Sequence, residues 1–395
     1  MVRYRQQIDV PFSYEVVFTR DLFGPHNETL AETLRRESGP VRMLVFIDQG
    51  VLTRWPDLSS RISQWCDARP AVVRLVGAPM TVPGGEAVKN DLTFVQRLTH
   101  QFQRCEMDRH AFVMAVGGGA ALDAIGLAAA VFHRGLRLIR VPTTVLSQDD
   151  SGVGVKNGVN FDGMKNMIGT FAPPYAVLND ALFLTTLEPR DWIGGLSEAF
   201  KVAVLKDADF FRELESSAEA LAARDLDAMA RVVERCAILH LEHIRQGGDP
   251  FEFGSARPLD FGHWSAHKLE TLSNHELRHG EAVAIGIALD LFIAARMGLL
   301  AFEDCERVCA AMERCGLLLW HPSLVRRSSA SGALAVVAGL EEFRQHLGGR
   351  LTVTLPEGLG RKREVHAIPV ETVEAGVAWL TARHAARQKA ARKVV

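Results

Sequence analysis

The chain has 395 residues, 48% of them hydrophobic, too many for one small core and enough for two packed domains. Its 45 basic and 47 acidic residues leave a formal charge of -2, so nothing in the balance calls for nucleic acid or an anionic membrane as partner. Met1–Val10 carries Arg3, Arg5 and Asp9 with no apolar run behind them, which argues against a signal peptide.

Met43–Ile47 reads as a strand ending at Asp48, and Ala71–Val76 as a second. Leu92–Cys105 has the period of an amphipathic helix. Ala111–Val116 is a third strand, running into Gly117-Gly118-Gly119, and Leu136–Pro142 is a fourth. Strand, helix and strand at this spacing predict an α/β domain with a parallel sheet. After about residue 190 strand-like runs thin out and long helical periods take over, at Ala208–Arg224, Leu226–Arg245 and His279–Met297, with a small strand pair expected at Leu351–Leu355. The expected division is 1–190 and 191–395, with ligands in the cleft between. Two stretches, Ala111–Phe132 and Glu281–Leu300, are apolar enough to suggest membrane spans. Glycines and Asp123 interrupt the first, and Asp290 and Arg296 the second, so both read as buried core elements. Six scattered cysteines with no Cys-x-x-Cys pair read as reduced thiols of a cytoplasmic protein.

Gly117-Gly118-Gly119 lies between a strand and a helix. Glycines there let a backbone approach a pyrophosphate, and free amides at the helix start stabilise its charge. A plain tight turn fits the same residues, and the spacing is not GxGxxG. Asp48 could accept hydrogen bonds from a ribose or could cap a helix. In the second half, Glu198 and Lys201 are three apart on one helical face, His263 and His267 are four apart, and His279 opens an apolar helix. A carboxylate with two imidazoles is a ligand set for a catalytic zinc with an open position. A satisfied core histidine is the competing reading for each imidazole.

These pieces occur in the order of a known family. Over almost its whole length the chain resembles 3-dehydroquinate synthase and the related sugar phosphate cyclases. The matching blocks are Pro83–Lys89, the run from Gly117, His133–Gly135, Pro142–Asn160, Lys165–Gly169, Gly195–Lys201, the Phe261-Gly262-His263 block and Arg278–Gly286. Ser255–Glu270 and Gly339–Gly349 resemble the EboD-type, dehydroquinate synthase-like branch. The resemblance implies a Rossmann-like NAD domain over 1–190 and a mainly helical metal- and substrate-binding domain over 191–395. It puts Glu198, His263 and His279 on a zinc or cobalt ion. Asp48, Glu86, Lys89, Gly118, Gly119, Asp123, Thr143 and Thr144 fall on NAD. Arg134, Asp150, Lys165 and Asn166 fall on the phosphorylated substrate, and Lys156, Lys201, Arg257, Asp260 and His267 on the reacting part of the site. It makes His267 a substrate-side residue rather than a fourth ligand. It also implies a homodimer, in which Arg134 reaches into the neighbouring site.

The implied reaction oxidises a ring hydroxyl transiently with NAD, loses phosphate by β-elimination, returns the hydride and closes a carbocycle by an intramolecular aldol step. That chemistry explains the cations, since a phosphate carries close to two charges near neutral pH. Lysine suits a group that moves and leaves, and arginine clamps geometry. Several positions depart from true dehydroquinate synthases. Asp260 stands in place of Asn, Glu341-Glu342-Phe343-Arg344 lacks a lysine pair, His240-Leu241-Glu242-His243 lacks a lysine, and Trp264 replaces a small or hydroxyl residue. The first three remove positive charge, which favours a neutral ketose phosphate such as sedoheptulose 7-phosphate over the carboxylated heptulosonate. Trp264 is expected to reshape the pocket. The competing readings are an NAD-linked, metal-containing polyol dehydrogenase and a non-catalytic NAD- or sugar-phosphate-binding protein.

Overall fold

The computed structural model describes residues 1–162, 164–246, 259–329, 331–346 and 349–392. The chain divides into two compact units, Met1–Thr143 with Gly152–Phe183, and Thr144–Ser151 with Leu184–Val395.

The first unit is built on a parallel sheet. Its strands are β1 (Glu15–Thr19), β2 (Val41–Asp48), β3 (Val73–Leu75), β4 (Met80–Val82), β5 (Phe112–Gly117), β6 (Arg137–Pro142) and, after an antiparallel hairpin of β7 (Lys156–Phe161) and β8 (Met164–Phe171), β9 (Ala176–Asp180). The order is β1-β9-β6-β5-β2-β3, with β4 also on β2, and every pairing in the sheet is parallel. Successive residues of β2 serve opposite faces. Met43, Val45 and Ile47 join one apolar core, and Leu44 and Phe46 join the other. That is why β2 reads as a continuous apolar run. The Leu92–Cys105 period becomes the helix Leu92–Arg104, which buries Phe94, Val95, Leu98 and Phe102. Ala71–Val76 contracts to three residues.

Within β6 one charge is buried. The Arg140 guanidinium donates to the carbonyls of Gly152, Gly154 and Lys156 at 3.1, 2.7 and 2.9 Å, and to Asn157 Oδ1 at 2.7 Å. It thereby fixes the entry to the hairpin. The hairpin packs on the helix Gly119–Val131 at a small residue, because a Cβ on Gly126 would lie 1.8 Å from Asn157 Oδ1.

The second unit is helical, with one antiparallel hairpin, β10 (Val353–Pro356) and β11 (Lys362–Val365). The helix His279–Arg296 is its axis, buried almost continuously from Gly280 to Ala294, and it meets helices Leu196–Lys206, His263–Leu272, Phe302–Arg314 and Val370–Ala391. The helical period at Ala208–Arg224 is broken at Ser217 into Ala208–Ser216 and Ala218–Ala222. Among the described residues no helix is long and apolar enough to cross a membrane. Both apolar stretches are core elements, as their interrupting charges suggest. All six cysteines are free thiols.

Candidate active site

In the first unit the parallel registers bring the C-terminal ends of β2, β4, β5 and β6 together. Asp48 lies opposite Val82, Ile47 opposite Val116, and Gly117 opposite Pro142. Beyond β2 the chain winds outward through β3 and β4, then returns to the other side of β2 as β5. This end is therefore a topological switch point, where open α/β sheets bind ligands. Glycines crowd Asp48 there. A Cβ on Gly84 would fall 2.0 Å from Asp48 Oδ1, and one on Gly117 would fall 2.9 Å from Asp48 Cβ. Asp48 caps the helix Gln49–Arg54 by accepting from the Gly50 amide at 2.7 Å. Burial raises its carboxyl above the ordinary range, against the amides of Gly50 and Gly118. The helix Gly119–Val131 starts at Gly118 with no side-chain cap, which leaves its first amides open to an anion. The Thr143 amide donates to the Gly117 carbonyl at 3.0 Å.

Beside the glycines, Lys89 is buried and donates to Asp123 Oδ2 at 2.7 Å and to Asn166 Oδ1 at 2.5 Å. Burial pushes the Asp123 carboxyl up against the pull of Lys89 and Arg140. Asn160 donates to Glu86 Oε1 at 3.3 Å and accepts from the Asn166 amide at 2.9 Å. Lys89, Asp123 and Asn166, matched above to two different ligands, thus form one cluster. Lys156 and Asn166 are exposed and Lys165 half-buried on the hairpin. Arg134 is exposed in left-handed backbone at φ 65°.

In the second unit Glu198, His263 and His279 each offer an atom within 4.8 Å of the others. Glu198 stands in the first turn of the helix Leu196–Lys206, and His263 and His279 are the first residues of theirs. The Lys201 ammonium, one helical turn from Glu198, lies against its carboxylate and 3.8 Å from Asp150. Burial works to lower Lys201, but Glu198 and Asp150 outweigh it and hold the proton on. Burial raises Glu198 and is opposed by Lys201. Both Glu198 oxygens are buried with no aligned hydrogen-bond donor, an arrangement that suits a cation. His263 sits 3.8 Å from Glu198, with Nδ1 3.0 Å from the Phe261 carbonyl, so a proton on Nδ1 leaves Nε2 as the ligand atom. Burial, then Lys201, depresses His263 well below the usual histidine range and keeps it neutral. His279 Nδ1 is 3.5 Å from Glu270, and the exposed His267 ring stacks 6.0 Å from His279.

Sequence reasoning passed over three participants. Glu270 is a buried acid beside Nδ1 of the His279 imidazole, and its only signal is a position seven residues after His263. His240, in the His240-Leu241-Glu242-His243 segment that lacks a lysine, lies 3.1 Å from Asp150. Asp149 is fully buried and carries no hydrogen bond on either oxygen. Two expectations change. Trp264 is 1% exposed and turns its indole N–H onto Asp290, so it is a core residue and not an open pocket wall. Arg344, the one cation of the segment that lacks the lysine pair and the candidate to stand in for it, is half-buried and donates to Glu341 of its own helix. Asp260 is half-buried and raises Lys201. Arg257 lies outside the described residues.

Residues 79–194 match the 3-dehydroquinate synthase N-terminal family model, and residues 195–335 match the C-terminal one. The chain is 34% identical over 368 residues to 2-epi-5-epi-valiolone synthase of Streptomyces glaucescens, across 92% of this chain and 90% of that one. It is 33% identical over 348 residues to 3-dehydroquinate synthase of Streptococcus equi subsp. equi, across 88% of this chain and 90% of that one. The solved structure of 2-epi-5-epi-valiolone synthase from Streptomyces hygroscopicus subsp. jinggangensis, with NAD+ and Zn2+ bound, superposes with a TM-score of 0.84 at 30% identity, over 96% of this chain and all of that one. With both halves matched in order on a Rossmann-type sheet and a helical second unit, the chain belongs to the family of 3-dehydroquinate synthase and the related sugar phosphate cyclases.

Proposed function

We propose that this chain is a metal- and NAD-dependent cyclase that eliminates phosphate from a C7 sugar phosphate and closes a carbocycle, acting in the cytoplasm as a homodimer. The observation that carries the reading is the convergence of Glu198, His263 and His279 beside a buried, protonated Lys201. Those three would hold zinc or cobalt, which supplies Lewis acidity at a substrate oxygen. Asp48, Glu86, Lys89, Gly118, Gly119, Asp123, Thr143 and Thr144 would hold NAD, which supplies a reversible hydride acceptor.

The remaining work belongs to the chain itself. Lys201 keeps its proton, so it serves as a fixed cation for an oxyanion rather than as a base. Asp150 faces both Lys201 and His240, and so sets the direction of that cation. His267, the exposed imidazole of the cluster, is available to exchange a proton with the sugar. Arg134, Lys156, Lys165, Asn166 and Arg257 are assigned to the phosphorylated substrate.

The two named relatives differ by one per cent in identity, which does not choose between their substrates. Charge does. Asp260 adds an acid on the Lys201 side, and Arg344 is paired to Glu341. Both disfavour a substrate carboxylate, so sedoheptulose 7-phosphate is preferred over the dehydroquinate synthase substrate. Phosphate release would be measured from each sugar with NAD and zinc. The expected result is release from the ketose with no net NADH. Efficient dehydroquinate formation with none from the ketose would refute the preference. Net NADH from a plain polyol would favour the dehydrogenase, and NAD binding without any phosphate release the non-catalytic reading.

The dimer rests on two observations. Arg134 makes no hydrogen bond or ion pair among the described residues. Nearby in sequence and on the hairpin, Val131, Phe161, Met164, Met167 and Phe171 are each 41–56% exposed, an apolar set that water alone does not favour. Sedimentation is expected to give twice the monomer mass. Mixing Arg134→Ala protein with a Glu198→Ala variant should restore part of the activity, because one of the two sites in a mixed dimer is then intact.

A further inference from the structure

The helix His279–Arg296 buries a single acid along its apolar length, Asp290, which is 0% exposed. A carboxylate there is costly unless both oxygens are matched. They are: Oδ2 accepts from the Gly262 amide at 2.8 Å and Oδ1 from Trp264 Nε1 at 2.7 Å. Gly262 and Trp264 are the residues on either side of His263. Asp290 therefore grips the turn before and after the imidazole without touching the ring.

The turn is shaped for this grip. Gly262 has φ 80°, in the left-handed region that favours glycine, and a Cβ there would meet the Ile287 amide at 2.7 Å. A Cβ on Gly286 would meet the Gly262 carbonyl at 2.0 Å. His279, Gly286 and Asp290 are seven and then four apart, so they share one stripe of one helix. That stripe presents one imidazole, lets the turn approach at Gly286, and clamps the turn at Asp290. The same turn supplies the Phe261 carbonyl at His263 Nδ1, which selects the ring nitrogen turned towards Glu198.

We propose that Asp290 is a positioning residue that fixes His263 against His279 by holding Gly262 and Trp264 together. The proposal rests on the reading of Glu198, His263 and His279 as metal ligands. Aspartate is suited to it because it is short and offers two acceptors and no donor to two N–H groups. Asparagine would aim an amide N–H at one of them.

The test uses the full-length protein, with zinc affinity measured against a competing chelator and the visible spectrum recorded after cobalt(II) loading. Asp290→Asn is expected to weaken zinc binding about 10-fold or more and to alter the cobalt spectrum, the usual cost of losing support behind a ligand. NAD affinity should stay unchanged. Trp264→Phe combined with Asp290→Asn should recover part of the loss, since the amide no longer opposes the indole N–H. A folded Asp290→Asn protein with wild-type zinc affinity and cobalt spectrum would overturn the proposal. If that variant does not fold, Trp264→Phe alone decides: a loss of about 3-fold or more with a shifted spectrum supports the proposal, and no change in either overturns it. A wild-type protein that binds neither metal would instead overturn the reading of the site.

Discussion

Lys201 is 3% exposed yet holds its proton, because Glu198 and Asp150 both face it. Asp48 shows the reverse balance, with burial lifting its carboxyl although two amides point at it. A ribose diol needs the ionised form as acceptor. NAD affinity should therefore be full at pH 8 and should fall, by up to about tenfold per unit, as pH drops through a value above the ordinary carboxylate range. Calorimetric titration of NAD from pH 8 to 5 would show this, and Asp48→Asn should give a weaker but flat profile. At this scale residue types and local context single out Glu198, His263 and His279 as candidate ligands, and the fold brings their ligand atoms within 4.8 Å of one another. The sequence does not announce Glu270 or Asp290. The one stands behind His279 and the other 28 residues beyond Gly262, and neither forms a local pattern with its partner.

The long elements were legible because their periods are long. The helix expected over Leu92–Cys105 ends one residue early, and β5 and β6 fall within a residue of their runs. β1 and β9 escape such reading, since five residues each carry little pattern and their pairing joins Glu15 to Ala176 across the whole unit. The hairpin of β7 and β8 hides in a loop rich in glycine and asparagine. What matters between elements is closeness that only glycine permits. Gly286→Ala should push the helix His279–Arg296 away from the turn at Gly262 at a cost of about 1–3 kcal/mol. Thermal unfolding should show a midpoint lowered by several degrees, with weakened zinc binding, whereas Gly298→Ala, in open space but at φ 73°, should lower the midpoint and leave zinc affinity alone.

For the whole molecule, the trio Glu198, His263 and His279 lies within the second unit, and the residues proposed for NAD, Thr144 excepted, lie within the first. Zinc at a hundredfold excess over its dissociation constant should stabilise by about 2.7 kcal/mol, and NAD independently by a similar amount at the same saturation. A chelator should lower the unfolding midpoint by about 5–10 °C, and added NAD should raise it even in the chelated protein. No shift with zinc in either direction would count against the three-residue site. The change from alternating strands and helices to helical periods alone was legible in the sequence, with the expected division at residue 190, whereas the second unit resumes at Leu184. The excursion of Thr144–Ser151 was not legible, because nothing in those eight residues marks a change of allegiance.

That excursion sets a limit on dissection. Asp150 rides on Thr144–Ser151, inserted between two stretches of the sheet unit, while Lys201 and His240, which it faces, come much later. A gene fragment starting at Leu184 would encode every residue of the Glu198, His263 and His279 trio but would leave Lys201 one acid short and His240 without its carboxylate. No single scission yields both modules intact, so swapping halves between relatives would have to transplant this short insert along with the helical part.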